Sequence, residues 1–98
     1  MAQLVEKGDG KWGLKGELTF ETVPALLPSV KNLMQGSAVI VDLEDVTRAD
    51  SAGLAMLLEW VFLAKKKQIE VTLTDLSVQL LAMARVSGLD EILPIQSH

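Results

Sequence analysis

The chain has 98 residues, enough for one hydrophobic core and too few for two. Hydrophobic residues make up 49% of it, which excludes a disordered chain, and its formal charge of -4 argues against nucleic-acid backbone binding, which relies on clustered Lys and Arg. There is no cysteine, so disulfides, thiolate metal sites and a cysteine nucleophile are excluded as well.

The one histidine, His98, is the last residue and is expected to be frayed, which leaves a Ser-His-Asp triad without a base. Met1 to Gly10 carries Glu6 and Asp9 and no apolar run, so no signal peptide is expected. No segment reaches the roughly 18 uncharged apolar residues of a spanning helix. The expectation is a cytoplasmic protein without direct membrane insertion.

In chain order, Gln3 to Lys7 and Lys11 to Lys15 flank Gly8-Asp9-Gly10 and read as two strands joined by a turn. Trp12 and Leu14 alternate with Gly13 and Lys15, giving one apolar face. Gly16-Glu17-Leu18-Thr19 is expected to leave the sheet. Thr22 can cap a helix through Leu26, Leu27, Val30, Leu33 and Met34, with Pro24 in its first turn and a kink or restart at Pro28. Gly36 closes it.

Ala38 to Asp42 is a β-branched run suited to a strand buried on both faces, and Leu43 to Ala49 reads as a loop carrying Glu44, Asp45 and Arg48. A second helix runs from about Ser51 to Lys67. Its terminal Lys65-Lys66-Lys67 complements the helix dipole. Ile69, Val71 and Leu73 alternate in a strand from Gln68 to Thr74. Asp75 or Ser77 caps a third helix through Leu80, Leu81, Ala84 and Arg85, stopped by Gly88. Leu89 to Ile95 is expected to pack on the sheet edge. Helices alternating with strands after an opening hairpin predict a single α/β domain: a mixed sheet of about four to five strands with three to four helices.

The second helix has more apolar surface than one face needs. On a helical wheel Leu54, Leu57, Leu58 and Val61 form a core stripe with Phe62 at its margin, while Ala52, Met56, Glu59, Trp60 and Leu63 lie on the other side. Either the third helix or the hairpin covers Met56 and Trp60, or a partner protein does. The short chain favours a partner, and Met and Trp are enriched where partners dock. At the start of this helix Ser51 can cap the free amides of Gly53 and Leu54. The same amides would welcome a phosphate on Ser51, with Gly53 leaving the approach open and Asp50 repelling the added charge.

The segment VIVDLEDVTRADSAGLAMLLE resembles the signature of STAS domains, the family of anti-sigma factor antagonists. There, a strand ending in D-L leads to a D-S-[ST]-G-L turn and helix. Gly16-Glu17-Leu18 is similar to the family's earlier G-E-L, and Leu81 to Leu89 to its final L-x-x-x-x-x-x-G-L. Within the family, GLAMLLEWVFLAKKKQIEVTLTDL is most similar to the STAS subunits of Mla-type phospholipid-transport ABC systems.

That resemblance implies a non-catalytic subunit, peripheral to the inner membrane through its partners and needing no cofactor or metal. It would dock on the ATPase subunit, in a complex with permease and substrate-binding subunits, through Asp50, Ser51, Ala52, Gly53, Met56, Trp60 and Leu63. Antagonists usually carry Asp after G-E-L and a second hydroxyl after the serine, where this chain has Thr19 and Ala52. These departures favour docking over phosphorylation of Ser51. The alternative is an anti-sigma factor antagonist switched at Ser51.

A rival of another class, a phosphoacceptor receiver or metal-dependent enzyme, would use Asp42, Glu44, Asp45 and Asp50 at a strand's C-terminal end. A receiver's acidic pair after the first strand is missing, as is a nucleotide-binding glycine loop. Loop solvation and capping account for these acids.

Overall fold

The computed structural model describes residues 2–96, so His98 lies outside the described residues. Two strands, β1 (Ala2–Gly8) and β2 (Lys11–Leu18), form the antiparallel hairpin. Its turn needs positive φ at Gly8, Asp9 and Gly10 in succession, which two glycines make feasible. The ladder pairs Glu6 with Trp12 and Gly8 with Lys11, so Lys7 is the bulged residue.

Pro24 and Pro28 break the next segment into α1 (Val23–Leu26), a 3-10 turn (Leu27–Ser29) and α2 (Val30–Leu33), the restart expected at Pro28. Thr22 occupies the N-cap position but makes no side-chain cap. Its hydroxyl instead donates to the Glu17 carbonyl at 2.6 Å and accepts from the Thr19 amide at 2.9 Å, folding the turn between β2 and α1. Then follow β3 (Ala38–Ala49), α3 (Ser51–Lys66), β4 (Glu70–Thr74), α4 (Val78–Val86) and β5 (Ile95–Gln96). Ser77 caps α4, its hydroxyl accepting from the Leu80 amide at 3.1 Å.

The sheet has the strand order β1-β2-β3-β4-β5, antiparallel at β1/β2 and parallel thereafter. Each crossover steps to the next strand in the same direction. Right-handed connections therefore put the helices on one face of the sheet. Leu14, Val41, Leu43 and Leu73 point into that layer and are buried with Leu57 and Leu80. The opposite face carries the row Lys11, Ile40, Thr72 and the row Gly13, Asp42, Thr74. Ile40 is 38% exposed, so β3 is not covered on both faces as its β-branched run suggests.

Two expectations about loops are corrected. Gly16, Glu17 and Leu18 stay in the sheet, paired with Val46, Arg48 and Ala49. Leu43 to Ala49 is strand, not loop: β3 continues past the end of β4 along β2 alone. Irregular register there breaks the apolar alternation that a strand normally displays. The Gln79 side chain partly replaces the missing neighbour, accepting from the Ala49 amide at 3.1 Å.

Candidate functional site

The chain passes from β3 into α3 through Asp50, whose extended backbone (φ -124°, ψ -170°) marks it as the N-cap. Asp50, not Ser51, caps α3. Its Oδ1 accepts from the amides of Ala52 (2.9 Å) and Gly53 (3.3 Å), and its Oδ2 accepts from the Phe20 amide at 3.0 Å. The Asp50 amide in turn donates to the Leu18 carbonyl at 3.1 Å. One residue thus fastens the end of β2 to the start of α3. The Phe20 amide, then those of Gly53 and Ala52, hold the Asp50 carboxyl below the usual carboxylate range against a smaller opposing effect of burial.

This occupancy changes what the helix start can do. Amides that could have received a phosphate on Ser51 already serve Asp50. Gly53 does not hold an approach open either. It is buried against Leu18, and an added Cβ would stand 2.8 Å from the Leu18 Cβ and closer still to the Leu18 carbonyl. The two sequence signatures, G-E-L and D-S-x-G-L, therefore meet in space at Leu18 and Gly53. Thr19, in place of an acid, is buried, and its hydroxyl has no hydrogen-bond partner among the described residues.

The expected uncovered face of α3 is also corrected. Met56 and Trp60 are 2% and 3% exposed and belong to the core, while Ala52 and Leu63 are partly buried against it. The sheet lies under α3, and both α1 and α4 pack against it. Its outer stripe is Ser51, Ala55, Glu59 and Phe62, with Leu58 half-buried. Ser51 is exposed at the head of that stripe. Beside it, Leu54 with Ala82, Met83 and Val86 of α4 lines a shallow, almost wholly apolar groove of about 270 Å³. Phe20 and Val86, at 78% and 89% exposure, flank the same end of the domain. A hydroxyl bordered by open apolar surface has the chemistry of a protein-docking face.

The carboxylates of the rival reading do not come together as one set. Asp42 and Glu44 join Asp75, with carboxylate oxygens within 4.8 Å of one another on the open sheet face. Asp42 is already engaged there: Lys7 Nζ stands 3.3 Å from its Oδ2, and the Glu44 amide donates to its Oδ1 at 3.0 Å. Burial pushes the Asp42 carboxyl up, but the Glu44 amide and the Lys7 ammonium outweigh it and hold it below the usual range. Asp50 stands apart at the α3 cap, and Asp45 pairs in register with Lys15. The Lys7–Asp42 pair, 35 residues apart, leaves no local pattern in the sequence. Lys7 reaches it across Gly13, where a Cβ would lie 2.7 Å from the Lys7 Cε.

The family model described as "Mlab, STAS domain" matches residues 6–94, from the hairpin to the last turn before β5. The chain belongs to the MlaB-type STAS family. Solved structures agree on the fold. An anti-sigma factor antagonist from Mycobacterium paratuberculosis is similar at 24% identity with a TM-score of 0.75, over 97% of this chain and 83% of that one. The Bacillus cell fate determinant SpoIIAA in its phosphorylated form is 16% identical with a TM-score of 0.73, over 100% and 91% of the two chains. A sulfate transporter family protein from Wolinella succinogenes is 18% identical with a TM-score of 0.69, over 95% and 80%. No curated protein sequence matches the chain. Among the described residues of this STAS domain, no helix is long and apolar enough to cross a membrane.

Proposed function

We propose that this chain is the non-catalytic STAS subunit of an Mla-type phospholipid-transport ABC complex. It binds the ATPase subunit, supports the complex's assembly and activity, and so serves the lipid asymmetry of the outer membrane. One observation carries this reading: Ser51 stands exposed at the mouth of an apolar groove, while Asp50 has taken the helix amides a phosphate would use. The site is therefore better suited to contact than to phosphate capture. The MlaB-type match along residues 6–94 supports the choice of partner.

Within this reading the docking surface keeps Ser51, with Asp50 and Ala52 at its edge, and shifts from Met56 and Trp60 to the exposed Phe20, Phe62 and Val86. Co-expression with the ATPase subunit of such a transporter tests it. Ser51→Arg and Val86→Asp should each abolish co-purification while the free proteins keep their wild-type melting temperature. Wild-type recovery of the ATPase by both folded variants would overturn it.

A second reading, an anti-sigma factor antagonist, is favoured by the accessibility of the Ser51 hydroxyl, which takes no part in the cap. Incubation with an anti-sigma kinase and ATP, followed by mass spectrometry, distinguishes the two. Stoichiometric phosphate on Ser51 would favour the antagonist.

A further inference from the structure

The end of the sheet opposite Ser51 holds a second recess that the docking reading does not use. It measures about 380 Å³ and opens between the hairpin turn and the connection from α2 to β3. Trp12, Leu33 and Val39 form its apolar wall, and Glu6, Asp9 and Gln35 are among its polar residues.

Glu6 lies directly opposite Trp12 in the antiparallel pair. Directly opposed residues share a face, with Cβ atoms about 5 Å apart, so carboxylate and indole stand side by side. Among the described residues neither Glu6 nor Asp9 has an ion-pair partner. The hairpin's own lysines are engaged elsewhere: Lys7 pairs with Asp42, Lys11 is in register with Ile40 on the open sheet face, and Lys15 is in register with Asp45. No Lys or Arg lines the recess. The Gln35 Nε2 donates to the Lys31 carbonyl at 2.8 Å, which leaves its Oε1 as an acceptor.

The recess thus combines a π face, two uncompensated carboxylates and an amide oxygen. We propose that it binds a guanidinium group. A planar guanidinium can stack on the Trp12 indole while its fork of donors meets the Glu6 carboxylate, which a compact ammonium cannot do in the same pose. The group could be the head of an arginine on another polypeptide or a small free guanidine.

The test follows the indole N–H resonances of the full-length, isotope-labelled chain at low salt, with Trp12 assigned by Trp12→Phe. The probes are N-acetyl-arginine amide, ethylguanidinium and, as an uncharged control, N-acetyl-norleucine amide. Both guanidinium probes should shift Trp12 saturably, leave the buried Trp60 unmoved and weaken as salt is raised. Glu6→Gln should weaken binding roughly threefold, and Glu6→Gln with Asp9→Asn about tenfold, as expected for exposed ion pairs. Tighter binding of the capped arginine would mark a chain-borne arginine as the occupant, and the reverse a free guanidine. The absence of a saturable Trp12 shift with either probe, or equal binding by the double variant, would overturn the proposal. None of these readouts involves the ATPase, so this proposal and the docking reading fail separately.

Discussion

Leu18 and Gly53 approach each other so closely that no side chain fits between them. The contact joins the end of β2 to the first turn of α3, where the Asp50 amide also donates to the Leu18 carbonyl. A methyl group at Gly53 would meet backbone, which cannot rotate away. Gly53→Ala should therefore destabilise the domain by about 1–3 kcal/mol, the usual cost of overpacking, despite alanine's better helix propensity. Urea unfolding measures it. An unchanged or raised midpoint would show that α3 can tilt off Leu18 freely.

Asp50 gives a pH dependence whose sign is fixed by its contacts. Its carboxyl is held below its unfolded value by the Phe20, Gly53 and Ala52 amides. The stability it supplies is therefore present above the unfolded value, about pH 4, and is lost as pH falls through the folded pKa. Asp50→Ala should cost about 1–2 kcal/mol at pH 7. The difference from wild type should narrow below about pH 4, where the wild-type carboxyl protonates. Urea midpoints at pH 7, 4 and 3 test this, and a constant difference would contradict it.

The elements with strong alternation or helical period were legible in the sequence: the hairpin, the first half of β3, β4, and both long helices. The second half of β3 was not, because it has only one neighbouring strand and its bulges disrupt the alternation of Leu43 to Ala49. Asp50 and Ser51 are both cap-forming residue types, so spacing could not choose between them; the Phe20 amide, distant in sequence, favours Asp50. For α3 the wheel measured the apolar arc correctly but could not count the neighbours. Successive right-handed crossovers place α3 between α1 and α4, so an arc wide enough for a partner is filled from within. Lys7 was illegible because alternation puts it on the open face, but only the strand register through Gly13 sets it against Asp42, 35 residues away.

The Lys7–Asp42 pair yields a separate titration. Burial pushes the Asp42 carboxyl up, and the Glu44 amide and Lys7 together reverse that. Lys7→Met keeps the side-chain stem over Gly13 but removes the charge, so the Asp42 pKa should rise. Gly13→Ala should raise it too, since the new methyl displaces the flexible Lys7 chain rather than backbone. Carboxyl chemical shifts followed against pH report both effects. An Asp42 titration identical to wild type in Lys7→Met would mean that the Glu44 amide and the Asp75 side chain set it without Lys7.

Trp60 and Phe62 sit two residues apart on α3 yet should respond oppositely to truncation. Trp60 is 3% exposed within the core, whereas Phe62 is 51% exposed on the outer stripe. Trp60→Ala removes a buried ring and leaves a cavity, so it should cost about 3–5 kcal/mol. Much of the stability of a domain this size would go with it. Phe62→Ala should change the free domain by no more than about 0.5 kcal/mol. Under the docking proposal, Phe62→Ala should nevertheless reduce recovery of the ATPase subunit, because its ring is part of the exposed stripe below Ser51. Unfolding midpoints and co-purification measured on the same two variants separate the roles. A Trp60→Ala protein as stable as wild type would return that side chain to the surface; loss of stability in Phe62→Ala would move Phe62 into the core.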